Sequence, residues 1–249
     1  VQMQLQQKYE LMLRNAMQIR IDQETSSCHD QYYPYTSSLF EPFPMRLMLH
    51  MLPNQTILLV MDTKIQLRAV VLSGGASRRM GRDKALLPHA SGRTWLEHIT
   101  TMLSSLDLPV LVLTTHPSHE QLLQASQGIT VLRDATPGAG PLQAVAPLFP
   151  AQQQQALLIT PVDMPDLDTD GLQQLISSWQ QQPDAAAVAH DGERLQPLLG
   201  IYPGGMTQRQ SMLETLAAGQ NSWMAWLQQI PYRAVKLPPE QLRNCNRPQ

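Results

Sequence analysis

The chain has 249 residues, 43% of them hydrophobic, and a formal net charge of −2, which gives material for one sizeable core and length for one or two domains. That balance lacks the charge excess that would draw the whole molecule to nucleic acid or to an anionic membrane. Its two cysteines, Cys28 and Cys245, are far apart and outside any C-x-x-C spacing, which argues against a disulfide framework or a cysteine zinc site and fits a reducing, cytoplasmic setting.

Taken in order, residues 1–60 differ from the rest: they are rich in Gln, Met and Tyr and begin with Val1. Leu5, Tyr9, Leu11, Met12, Ala16 and Ile19 recur at near-helical spacing, so 2–20 is predicted as one amphipathic helix, and 22–44 as irregular. The stretch 45–61 comes nearest to a membrane span, but Arg46, His50, Pro53, Asn54 and Gln55 interrupt it. Residues 1–60 are read as an extension that is poorly ordered or not part of the native protein, and 61–249 as the folded domain.

From residue 67 the pattern changes. The apolar run Ala69-Val70-Val71-Leu72 predicts a buried strand over 67–72 and leads straight into Ser73-Gly74-Gly75. Arg78, Arg79, Arg82 and Lys84 follow, with Asp83 as the one acid among them. A strand, a glycine turn and clustered cations describe a loop that cradles phosphate, because glycines admit anionic oxygens close to backbone N–H groups and the cations neutralise them. The spacing fits neither a P-loop nor the dinucleotide-binding glycine motif.

Helices are then predicted at 94–106, 118–126, near 141–148, at 169–181, 206–218 and 222–229, and strands at 109–113, 129–133, 156–160, 185–189, 195–202 and 232–237. Apolar strands alternating with helices predict an α/β fold: a three-layer, Rossmann-like, mostly parallel twisted sheet with helices on both faces. The glycine loop, Asp134 and Asp163 each fall at the carboxyl end of a predicted strand, the edge where such sheets bind ligands. Asp163 could hold a hard cation such as Mg²⁺ or could cap the following helix, and Asp134 could be a ligand or a turn former. His116, His119 and His190 lack metal-ligand spacing and read as surface or loop histidines, while Trp179, Trp223 and Trp226 read as packing residues.

The ordered set L-x-G-G-x-x-x-R-M-G-x-D-K over Leu72–Lys84 resembles the opening motif of the MobA-like nucleotidyltransferases. Pro161-Val162-Asp163-Met164-Pro165 resembles the family's magnesium segment, and Asp134 its nucleotide-contacting aspartate. Pro137-Gly138-Ala139-Gly140-Pro141-Leu142 resembles its P-G-P-L region with one residue inserted, and Ala144 stands where a glycine is often found. Asp191-Gly192, Pro197 and the C-terminal Asn244-Cys245-Asn246-Arg247-Pro248 extend the likeness over about 67–248. Within the family, the adjacent glycines and the Asp83-Lys84 pair look most like the members that transfer a guanylyl group to the molybdenum cofactor.

The resemblance implies a fold akin to the nucleotide-diphospho-sugar transferases. It also implies transfer of GMP from GTP to the terminal phosphate of Mo-molybdopterin, with release of pyrophosphate. It implies that Leu72, Ser73, Gly74, Gly75, Lys84, Asp134 and Asp163 bind the nucleotide, that Asp163 holds Mg²⁺, and that Lys84, Arg79 and Asp163 carry the catalysis. Thr114 stands where relatives often carry a nucleotide-contacting Asn. Expected partners are GTP and Mo-molybdopterin, with a GTP-binding accessory protein and molybdoenzyme chaperones as further candidates, and no nucleic acid or membrane; the expected state is a monomer or weak oligomer. A CTP-using molybdopterin cytidylyltransferase, a sugar-phosphate nucleotidylyltransferase and a non-catalytic nucleotide-binding module are the alternatives.

Overall fold

The computed structural model describes residues 65–74 and 83–245 in full and, for 47–51 and 57–61, the backbone alone. The helix expected over 2–20 lies outside the described residues. Two strands, β1 (Leu47–Met51) and β2 (Ile57–Met61), pair antiparallel with Leu49 opposite Leu59. They fall within the stretch that comes nearest to a membrane span in sequence. Among the described residues no helix is long and apolar enough to cross a membrane.

A seven-stranded sheet follows, in the order β5-β4-β3-β6-β8-β7-β9. The strands are β3 (Gln66–Leu72), β4 (Val110–Thr114), β5 (Ile129–Arg133), β6 (Gln155–Pro161), β7 (Ala186–His190), β8 (Leu195–Pro203) and β9 (Tyr232–Lys236). All pairs are parallel except the two made by β8, which runs against β6 and β7. The predicted strands all form, and β6 is buried along its whole length, as a central parallel strand must be.

Side-chain alternation divides the core between the two faces. Ala69 and Val71 of β3, Val110 and Val112 of β4, and Leu158 of β6 pack with Leu96, Ile99 and Leu103 of helix α1 (Trp95–Ser104), Leu123 of α2 (Pro117–Leu123), and Leu172, Leu175 and Trp179 of α4 (Thr169–Gln180). On the other face α6 (Trp223–Leu227) packs on β8. Its Trp223 and Trp226 meet Tyr202, with ring centroids 5.3 Å and 5.4 Å away, and Phe149 stands edge-on to Trp226 at 5.3 Å. Trp179, Trp223 and Trp226 are packing residues, each under 5% exposed. Helices α3 (Pro141–Val145) and α5 (Met206–Ala217) complete the set.

Helix starts follow local chemistry. Thr94 and Glu97 form a reciprocal capping box that opens α1, and the two bonds from Thr94 hold the Glu97 carboxyl below its ordinary range. The Asp168 carboxylate accepts from Gly171 N–H at 2.8 Å and so caps α4. The cap is therefore Asp168 and not Asp163, whose carboxylate is left for other work.

Candidate nucleotide site

Because β3, β5 and β6 run in one direction, the residues that follow them share one rim. Ser73 and Gly74 follow β3, Asp134 follows β5, and Val162 and Asp163 follow β6. With Asp83, Lys84, Gly138, Gly140, Pro141 and Ala144 they line a cavity of about 440 Å³. Leu72, Ser73, Gly74, Lys84, Asp134 and Asp163, all singled out from sequence, are brought together there. Gly75, Arg78, Arg79 and Arg82 lie outside the described residues.

Lys84 opens a single 3₁₀ turn, Lys84–Leu86, that breaks off the cation-rich stretch. Its start is fixed by Asp83, whose Oδ1 accepts from Ala85 N–H at 3.0 Å. The Lys84 ammonium comes to 3.4 Å from Asp163 Oδ2, and both side chains are about four-fifths buried, with 17% and 26% exposed. A lysine point charge beside a carboxylate on one cavity is a matched pair: one attracts anionic oxygens, the other a hard cation.

Asp134 is the turn former that the sequence allowed, and it also stands on the cavity. Its Oδ1 accepts from the Thr136 N–H at 2.8 Å and hydroxyl at 3.1 Å, a side-chain turn, while the residue lines the cavity. The loop after it needs its glycines. Gly140 has φ +102 and ψ 163, a region that essentially glycine alone adopts, and it starts α3 against the cavity. Ala144 also lines the cavity, so the position where relatives often have glycine does face the site.

The loop bearing Asp163 is tied down from two directions. His89 Nδ1 accepts from Ser91 N–H at 3.1 Å, which places the ring proton on Nε2, and Nε2 donates to the Pro165 carbonyl at 3.1 Å. From the C-terminal segment, Cys245 N–H donates to the Asp163 carbonyl at 3.0 Å and the Gln241 amide donates to Asp168 Oδ2 at 2.7 Å. Burial, with Asp166 and Asp163 nearby, pushes the Cys245 thiol upward, which suits a packing residue rather than a nucleophile. Asn246, Arg247 and Pro248 lie outside the described residues.

Two sequence expectations change. His119 is not a surface histidine: it is 0% exposed and sits between Asp83 and the ends of β3 and β4. Thr114 is also fully buried; its hydroxyl is engaged with His119 Nδ1 at 2.7 Å and the Ser73 carbonyl at 3.2 Å. It supports the glycine loop from below instead of lining the cavity. Asp83 was legible only as part of the Asp-Lys pair, yet it caps the Lys84 turn, lines the cavity and bonds His119. The signal for a buried His119 was its placement four residues before Leu123, on the inward face of α2.

Among the described residues no group of three or more His, Cys, Asp or Glu side chains is placed to hold a metal by itself. Mg²⁺ commonly takes one or two carboxylates plus phosphate oxygens; Asp83, Asp134 and Asp163 stand on the cavity, the first two with an oxygen engaged in a local turn.

Comparison with known proteins bears on the family and the fold. Residues 69–232 match the family model described as the MobA-like NTP transferase domain. A relative from Rhodopirellula baltica, named "Probable molybdenum cofactor guanylyltransferase", is 35% identical over 188 residues, covering 73% of this chain and 88% of its own. One from Shewanella sp., named "Molybdenum cofactor guanylyltransferase", is 32% identical over 163 residues, covering 65% and 80%. Among solved structures, a nucleotidyl transferase from Methanothermobacter thermautotroptrophicus superposes with a TM-score of 0.56 at 18% identity, covering 73% of this chain and 92% of that one, a likeness of fold. By its sequence and by the rim its fold builds, the chain belongs to the MobA-like NTP transferase family.

Proposed function

We propose that this protein is a nucleotidyltransferase that joins GMP from GTP to the terminal phosphate of Mo-molybdopterin and releases pyrophosphate. The observation that carries the reading is the meeting of Lys84 and Asp163 at 3.4 Å on a cavity floored by Ser73 and Gly74. The names of the relatives at 35% and 32% identity support the choice of nucleotide and acceptor.

A phosphate oxygen of the acceptor attacks the α-phosphorus of GTP. The new P–O bond forms as the bond from that phosphorus to the bridging oxygen of the β-phosphate breaks, and pyrophosphate carries away the electron pair. The attacking phosphate is already anionic at neutral pH, so no side chain needs to remove a proton. The chain's task is to hold the two phosphates in line and to neutralise charge. Gly74 lets the backbone approach the phosphates, Lys84 supplies the fixed cation, and Arg79 is expected beside it. Asp163, with phosphate oxygens, would hold Mg²⁺, which when bound draws charge away from the phosphorus under attack. Asp134 faces the nucleotide from the end of β5, two strands from β3.

The test is nucleotide transfer by the purified protein with Mg²⁺ and molybdenum-loaded molybdopterin. Product from GTP, with Lys84→Ala reducing the rate by about 10²–10³-fold, is the expected result. Product from CTP alone would change the base, and product only with a sugar phosphate would change the acceptor. Bound nucleotide with no transfer to either acceptor would make the protein a binding module.

A further inference from the structure

His119 is held on both ring nitrogens and has no part in the chemistry described so far. Nε2 lies 2.7 Å from Asp83 Oδ2, while Nδ1 lies 2.7 Å from the Thr114 hydroxyl and 3.2 Å from the Ser73 hydroxyl. An ionised carboxylate can only accept, so the proton shared with Asp83 belongs to Nε2. In the neutral ring Nδ1 then offers one lone pair, which the Ser73 hydroxyl fills when the single Thr114 proton goes to the Ser73 carbonyl and the Thr114 hydroxyl fills otherwise.

Ser73 and Asp83 stand at the two ends of the cation-rich stretch, one just before the glycine pair and one just before Lys84. One buried ring thus bonds both ends of the phosphate loop. The chain of contacts continues: Asp83 Oδ1 caps the turn at Ala85, that turn sets out Lys84, and Lys84 reaches Asp163. The groups that face the ring are Asp83, His116 and Arg133. His116 is no substitute, since its Nδ1 stays 3.7 Å from the same carboxylate oxygen and its side chain is 36% exposed. Burial pushes the His119 imidazole toward its neutral form, with Asp83 opposing and His116 and Arg133 adding to the effect.

Resting on the guanylyl-transfer reading above, we propose that His119 is a positioning residue: a neutral imidazole, protonated on Nε2, that clasps Ser73 and Asp83 and so sets Lys84 for the transition state. It touches no substrate and acts through the loop ends.

Two measurements on the same protein test this. Long-range ¹⁵N–¹H spectra of histidine-labelled wild type read the tautomer directly, and the Nε2–H form is expected for His119 at pH 7. Single-turnover transfer from GTP is compared across wild type, Lys84→Ala, His119→Phe and the double variant. His119→Phe should lower the rate by about 10–100-fold, the size of loss expected from a slightly misplaced group, with GTP affinity changed by less than about threefold. If the ring acts through Lys84, the double variant should be no slower than Lys84→Ala alone. His119→Gln, which keeps an N–H for Asp83, should recover most of the loss and replaces His119→Phe in the cycle if the latter does not fold. Losses that multiply in the double variant, or a proton found on Nδ1, would overturn the clasp. An inactive wild type would instead overturn the guanylyl reading and leave the tautomer as its own result.

Discussion

The two halves of the sheet share one set of layers and are put to different use. In β5-β4-β3-β6 all strands run the same way, and their carboxyl ends deliver Ser73, Asp134 and Asp163 to one rim. In β8-β7-β9 the middle of the sheet reverses: β8 runs against β6, so the early residues of β8 reach that rim, and they bring Leu198. The same half carries the aromatic cluster of Tyr202, Trp223 and Trp226. Only β8 is reversed in this sheet, since β7 and β9 again run with β6, so the halves differ in the direction of one strand and in the aromatic cluster packed on it.

The comparison sharpens into separable effects. The largest is expected in the packing half. Trp226→Ala removes a fully buried indole in contact with Phe149, Tyr202 and Trp223, and should cost about 3–5 kcal/mol in denaturant unfolding, with the folded fraction keeping its specific activity. In the rim half, Asp163→Ala should do the reverse: a loss of about 10²–10³ in transfer rate, with a stability change smaller than that of Trp226→Ala because Lys84 retains some solvent contact. A Trp226 variant that folds normally, or an Asp163 variant that unfolds, would break the division.

Smaller effects probe the joints. Gly140→Ala places a side chain where φ is +102 and should cost about 1–3 kcal/mol, read as a drop in Tm. Asp168→Ala removes the α4 cap and the bond from Gln241 and should cost about 1 kcal/mol. Acidity should act last and weakly. His98 and His119 both have folded-state pKa values lowered, chiefly by burial, so the unfolded chain binds more protons below about pH 6.5. Their contribution is complete above that pH and is lost as pH falls through the folded values. Replacing both should flatten the acid limb of the stability curve, by at most about 1.4 kcal/mol per pH unit for each.

Much of the rim was legible because its cause is local. An apolar run followed by glycines, or by Asp between prolines, marks a strand end wherever the strand finally pairs. The direction of β8 was legible in principle too: Asp191-Gly192 sits between two apolar runs joined by too few residues for a parallel crossover. That pair was read for its likeness to the family and not as a hairpin turn. The bonding of His119 was illegible for a different reason. Its partners are 36 and 46 residues away, and only the parallel pairing of β3 with β4 brings Thr114 beside Ser73. The strands at 47–61 were read as an interrupted apolar stretch, since their pairing depends on register more than on composition.

The latch from Cys245 N–H to the Asp163 carbonyl has a consequence in time. A ribosome releases β3, β4 and β6 well before residues 237–245, so the rim can collapse early while the loop of Asp163 still lacks its last two bonds. A chain truncated before Gln241 would lack both of these bonds to the segment that carries Asp163.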